Sequence, residues 1–273
     1  MWAAVVAIAL VVGMAGCQPR AEEPPTLTPT IEPPVITEAG VLKVGVDLSY
    51  PPFAGTVDGA SVGIDVDIAA AIAERLGLTV QLVDVKPSQM STALAGSSID
   101  VMLGAVPITD AVLADAATAG TYLVNGTAIF TTIPEGSAAA TVTADQLATL
   151  RVGAQQGSSA FWSLESEMGE GFVRPFDTLK GAFDAMSAGE VDVVVGDAVV
   201  GAYIARDYPT VAFAGQLGDP QPLGAVVRKD AIELEAAVRS TLDAMAADGV
   251  LATIRGKWLG PLPELASSDT LSN

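Results

Sequence analysis

The chain has 273 residues, half of them hydrophobic, enough for one large or two modest domains. Lys and Arg number 13 against 32 Asp and Glu, a formal charge of -19, and a surface of that sign repels phosphate backbones, which argues against nucleic acid as a partner. The absence of His removes the commonest metal ligand, general base and neutral-pH switch together. The single Cys, Cys17, allows neither an internal disulfide nor a thiolate cluster, so no metal and no cofactor is expected.

The chain opens on a targeting segment. Residues 2–16 are uncharged and almost wholly apolar, a run too short to cross a bilayer comfortably. Met14-Ala15-Gly16 before Cys17 resembles a bacterial lipobox, which implies a signal peptide over residues 1–16, cleavage before Cys17, lipid on its sulfur and attachment to the membrane. Met14 stands where Leu is usual, and no Lys or Arg precedes the apolar run. The alternative is an ordinary signal peptide with an incidental Cys. Residues 17–39, rich in Pro and Thr with Glu22, Glu23 and Glu32, read as a tether; Pro-rich chain extends at about 3.1 Å per residue, a reach on the order of 60 Å.

Residues 41–77 are the stretch around which the chain is organised. Val41, Leu42, Val44 and Val46 form a strand-like run. Asp47 ends it, and Ser49-Tyr50-Pro51-Pro52-Phe53 comes next; two successive prolines continue neither sheet nor helix. Asp47, Tyr50 and Phe53 are therefore placed just past the carboxyl end of a strand, where open α/β sheets bind ligands. Ile64, Ile68, Ile72 and Leu76 recur at helical spacing, with Gly77 as the C-terminal cap and Asp65 as the expected N-cap.

The pattern then alternates: a strand over 79–85, a short helix over 88–94, a continuous buried strand over 99–106, and a strand over 127–133. Next it restarts. Thr149-Leu150-Arg151-Val152-Gly153 repeats Val41-Leu42-Lys43-Val44-Gly45, and Asp192-Val193-Val194-Val195-Gly196 repeats Asp100-Val101-Met102-Leu103-Gly104. The repeat predicts two α/β lobes of similar plan. A strand-like stretch after Gly218, a long helix carrying Leu234, Val238, Leu242 and Met245, and a last helix with Leu251, Ile254 and Trp258 complete the chain. Asp197 follows a four-residue apolar strand, so its carboxylate lies at the buried end of a sheet and needs a partner; capping the next helix is the plain alternative. Gly157-Ser158-Ser159 offers N–H groups and hydroxyls to an anion, or simple N-capping. Phe161 and Trp162 read as packing residues.

The two-part pattern V-G-x-D-x-x-Y-P-P-F and V-G-I-D-V-D-I-A-x-A-I-A-x-R-L-G resembles the start of the amino-acid-type (family 3) periplasmic solute-binding proteins of ABC importers. The resemblance implies a type II binding-protein fold with mixed or parallel sheets in two hinged lobes: residues 40–126 with 221–263, and residues 127–220, with a flexible tail over 264–273. It implies a monomeric, non-enzymatic receptor that closes on a small molecule and docks on permease subunits. It also implies ligand contacts from Asp47, Tyr50, Gly104, Ala105, Pro107, Ser158, Ser159 and Asp197. A dehydratase-like enzyme on the same fold and a sensory module are the alternatives.

One departure bears on the ligand. The family pattern Ser/Gly-x-x-I-T-x-x-R ends on an arginine that clamps an α-carboxylate; here Gly104-Ala105-Val106-Pro107-Ile108-Thr109 leads to Val112. Pro107 replaces a frequent serine, and Pro87 a stacking aromatic. Either the ligand is an amine or other cation without a standard α-carboxylate, or another base replaces the arginine, with Lys86 the first candidate and Arg151 and Arg174 behind it.

Overall fold

Short apolar strands alternate with amphipathic helices from residue 41 onward. In the computed structural model, which describes residues 27–134, 137 and 140–266, the order begins β1 (Val41–Val46), β2 (Gly55–Val57), β3 (Ala60–Val62), α1 (Ile64–Arg75) and β4 (Thr79–Asp84). A 3-10 turn (Pro87–Gln89) leads to α2 (Met90–Ala95), β5 (Val101–Met102), α3 (Asp110–Asp115) and β6 (Ala116–Thr132). Then come α4 (Ala144–Leu147), β7 (Val152–Gln155), α5 (Ser159–Met168), β8 (Val173–Phe176), α6 (Leu179–Ser187), β9 (Val193–Asp197) and α7 (Ala198–Ala205). The chain closes with β10 (Val211–Arg228), α8 (Ile232–Ala247) and α9 (Val250–Leu259). Cys17, the apolar segment before it and residues 17–26 of the expected tether lie outside the described residues.

Eight strands form one mixed sheet in the order β4-β1-β5-β10-β6-β9-β7-β8. At one end β1 lies parallel between β4 and β5; at the other, β7 lies parallel between β8 and β9. The long antiparallel pair β6 and β10 runs through both halves. Its pairing is interrupted between Thr127↔Leu217 and Asn125↔Gln221, where both strands pass from one lobe to the other; Val199 and Ala202 of α7 also pack into the core of the first lobe. The sequence repeat has a physical counterpart. Asp100 Oδ2 accepts the Lys43 N–H at 2.9 Å, and Asp192 Oδ2 accepts the Arg151 N–H at 2.8 Å. In each lobe an aspartate before one strand holds the start of its parallel neighbour.

The first lobe buries Leu42, Val44, Val46, Ile64, Ile68 and Ile72 against Leu234, Val238, Leu242 and Met245, so α8 covers a sheet begun far earlier in the chain. α9 is held to α1 through Asp67, whose Oδ2 accepts from Lys257 Nζ at 2.6 Å and Trp258 Nε1 at 2.7 Å. The second lobe packs its two faces around Phe130 and Phe183 and around Ile129 and Phe161.

Several expectations require correction. The strand expected over 99–106 is only Val101–Met102, because Gly104 and Ala105 turn into left-handed backbone at φ 60 and 53. Strand β6 begins at Ala116, well before the expected 127; small residues and glycines disguised it, and Gly120 is small because α8 crosses there, a Cβ standing 3.2 Å from Leu242. Asp65 does not cap α1. Gly63 occupies the cap, and Asp65 lies inside the first turn, fully buried. Trp162 is 61% exposed, whereas Phe161 is buried. From residue 28 the expected tether belongs to the first lobe: Ile36 is buried, Thr37 N–H donates to Asp100 Oδ1 at 2.8 Å, and Gly77 approaches the Thr28 carbonyl too closely for any Cβ. The expected tail is also docked at its start, where Leu265 is buried and Ala266 exchanges two hydrogen bonds with the Gln216 side chain.

Candidate functional site

A cavity of about 560 Å³ opens between the lobes at the carboxyl ends of the parallel strands, a size suited to a small metabolite. Tyr50 contributes to its wall from the loop after β1, Ala105 and Pro107 from the loop after β5. Opposite them stand Ser158 and Ser159 at the start of α5, and Asp197 at the end of β9. These six sequence-predicted residues come together. The floor is the crossing itself: Asn125, Gly126 and Thr127 from β6, with Asp219, Gln221 and Leu223 from β10.

Four predicted residues stand off this wall. Phe53 is 1% exposed and packs beneath Tyr50 at 5.0 Å between ring centroids, a core residue of the first lobe. Gly104 precedes Ala105 in left-handed backbone at φ 60 and does not line the cavity. Asp47 and Lys86 are paired with each other: Lys86 Nζ donates to Asp47 Oδ1 at 2.6 Å, to Ser49 Oγ at 3.0 Å and to Asp84 Oδ1 at 3.2 Å. An ammonium has three N–H donors, and these three acceptors use them. Burial alone would raise the Asp47 carboxyl, but the bonds from Lys86 and Ser49 outweigh it and hold the group below its ordinary range. The weaker replacement candidates are committed elsewhere, Arg151 to Asp192 and Arg174 to Glu190, each at 2.6 Å. Val112 packs on the apolar cluster of Val85, Met90 and Met102.

Asp197 both lines the cavity and caps a helix. Its Oδ1 accepts the Val200 N–H at 2.8 Å, and its Oδ2 accepts from Asn125 Nδ2 at 2.6 Å. A carboxylate has about four acceptor positions, so capping α7 leaves capacity for a ligand. Burial pushes its carboxyl up, against the pull of the Val200 N–H and Asn125. Tyr50 is 38% exposed, yet burial, then the charges of Asp197 and Asp47, push its hydroxyl up to about 12. Tyr50 thus stays protonated and neutral in the field of aspartates from both lobes. Ser158 caps α5, accepting the Phe161 N–H at 3.1 Å, while Ser159 is exposed at the wall.

The wall after β5 rests on a group that sequence reasoning assigned to capping. Asp65 Oδ2 accepts the Ala105 N–H at 3.1 Å. Ala105 sits at φ 53, a left-handed conformation that costs a residue with a Cβ about 1–2 kcal/mol. Gln155, Ala160, Leu179, Gly196 and Val200 complete the lining. Of the residues not foreseen, Asn125-Gly126 carried a legible signal, a turn-forming dipeptide inside an apolar run.

Two α/β lobes sharing two long strands, with a small-molecule cavity between them, define the type II periplasmic binding proteins. The chain belongs to the bacterial extracellular solute-binding proteins, family 3, whose profile matches residues 42–261. It is 28% identical over 227 residues to the L-cystine-binding protein TcyJ of Escherichia coli (strain K12), covering 82% of this chain and 85% of that one. It is 30% identical over 229 residues to the L-arginine-binding protein of Pseudomonas aeruginosa, covering 80% of this chain and 87% of that one. Among solved structures, an ancestral cationic amino acid solute-binding protein superposes with a TM-score of 0.70 at 26% identity, covering 81% of this chain and 96% of that one. Among the described residues no helix is long and apolar enough to cross a membrane.

Proposed function

We propose that this protein is the extracytoplasmic receptor of an ABC importer and encloses a small metabolite that carries an amine or guanidine and lacks a standard α-carboxylate. The observation that carries this reading is the charge of the cavity wall. Among the described residues its only charged side chains are Asp197 and Asp219; no Lys or Arg lines it. Enclosing a carboxylate without a cation costs several kcal/mol, against about 1.5–3 kcal/mol for one charged hydrogen bond. A cationic head against Asp197 meets the opposite balance. Relatives named for L-arginine and for cationic amino acids support a ligand of this charge.

In this reading Asp197, Ser158 and Ser159 hold the ligand from one lobe, and Tyr50, Ala105 and Pro107 from the other. The lobes turn about residues 125–127 and 217–221, and contacts made only in the closed form shift the population towards it. Lipid on Cys17 would keep the receptor at the membrane beside its permease. Titration calorimetry with agmatine and L-arginine tests the ligand class, because the two differ only in the α-carboxylate. Agmatine binding at least about tenfold tighter is the expected result, with its mass unchanged after prolonged incubation; tighter binding of L-arginine would overturn the reading.

A further inference from the structure

Asp65 is fully buried in the first turn of α1 and has no cationic partner among the described residues. It does not cap its own helix, since Gly63 fills that position. Its Oδ2 reaches across to the Ala105 N–H, while Oδ1 and the nearby Tyr122 hydroxyl, both sealed from solvent, complete no hydrogen bond of ordinary geometry. The residue it holds, Ala105, is left-handed and lines the cavity. A disfavoured backbone conformation persists only where its surroundings over-determine it. A carboxyl with no counter-ion is an expensive way merely to fill a core.

We propose that Asp65 is a positioning residue for ligand binding: through its bond to Ala105 it holds the Ala105 wall of the cavity in the receiving conformation, and that hold loosens when the carboxyl takes up a proton. An ionised carboxylate accepts an N–H about twice as strongly as a neutral acid. Burial pushes the Asp65 carboxyl up to about 7, against the pull of Tyr122 and of the Ala105 and Gly104 N–H groups, so the proton exchanges near neutral pH. The groups facing it are the Tyr122 hydroxyl from β6 and the two loop N–H groups; the next acid on α1, Asp67, turns instead to Lys257 and Trp258. The consequence for affinity rests on the proposed ligand class, whereas the consequence for the wall does not.

The test follows the Ala105 and Gly104 amide resonances of ligand-free, 15N-labelled protein from pH 5 to 9, together with agmatine affinity at the same pH values. Wild type should show an amide inflection near pH 7 that is absent in Asp65→Asn, whose side chain still accepts the Ala105 N–H but cannot titrate. Tyr122→Phe, which removes a group favouring ionisation, should move the inflection to higher pH. The ratio of wild-type to Asp65→Asn dissociation constants for agmatine should rise at least about threefold from pH 8.5 to 5.5. A flat Ala105 amide in wild type, an inflection that survives Asp65→Asn, or a ratio independent of pH would overturn the proposal. If agmatine does not bind wild type at all, the ligand class is wrong, and the amide titration then decides alone whether Asp65 sets the wall.

Discussion

Asn125 Nδ2 donates to Asp197 Oδ2 at 2.6 Å, and Asn125 Oδ1 accepts the Val199 N–H at 3.2 Å. One side chain on the crossing strand thus fixes both the cavity carboxylate and the start of the helix that carboxylate caps. Asp197→Asn separates the two roles, since Asn caps a helix as well as Asp does. This variant should lose agmatine affinity by at least about 30-fold, roughly 2 kcal/mol, and about 1–2 kcal/mol of stability, because its amide nitrogen replaces the oxygen that accepts from Asn125 Nδ2. Asp197→Ala should lose the same affinity and about 2–3 kcal/mol of stability, since the cap and the bond from Asn125 go together. Calorimetry and thermal melts read the two effects; an unchanged affinity in Asp197→Asn removes this carboxylate from the site.

Lys86 neutralises Asp47 behind Tyr50. Lys86→Met should therefore leave agmatine binding intact and strengthen it roughly 2–5-fold at low salt, because Asp47 then adds to the negative potential of the cleft, an effect that fades as salt screens it. A tenfold loss in calorimetric affinity would instead make Lys86 a ligand contact.

Tyr50 and Phe53 pack with their rings tilted by 33° but differ in burial. Phe53→Ala should cost about 3–5 kcal/mol in denaturant unfolding, the range for a large side chain removed from a core. Tyr50→Ala should cost under about 1 kcal/mol of stability and weaken binding; the reverse ranking would exchange their roles.

The Asp65 carboxyl has an ordinary value of 3.8 and is pushed up to about 7 by burial. The folded chain holds this proton more tightly than the unfolded chain, so the group's contribution is complete below about pH 3.8 and is lost as pH rises through about 7. Asp65→Asn cannot titrate. Relative to wild type it should gain about 2–3 kcal/mol between pH 5 and pH 8 in chemical denaturation. A difference that does not vary with pH would mean that Asp65 titrates alike in both states.

Val112 packs on an apolar cluster. By the arginine position that the family resemblance implies, Val112→Arg should bring a carboxylate partner to the cleft and raise L-arginine affinity relative to agmatine by about tenfold or more, the worth of one charged hydrogen bond. It should cost about 1–3 kcal/mol of stability through overpacking. Competition between the two compounds checks the first effect, and denaturant titration the second. No change in their ratio would show that an arginine here does not reach the ligand.

Local pattern by itself settled the strands and helices around 41–77, the helices with four-residue apolar spacing, the repeated Asp-strand-Gly unit and the loops after β1, β7 and β9 that face the cavity, whereas the loop after β5 reads as more strand although Gly104 and Ala105 turn there. These depend on period, turn chemistry and glycine placement, which act within a few residues. Tertiary structure alone decided which polar side chains found partners. Lys86 meets Asp47 across 39 residues, Asp65 meets Ala105 across 40, and Asn125 meets Asp197 across 72. Burial divided Phe53 from Tyr50, and docking against the first lobe took residues 28–38 out of the tether. Such pairings are set by what lies nearby in space, and a carboxylate reads the same in sequence whether it meets a lysine, a helix end, a loop N–H or a ligand.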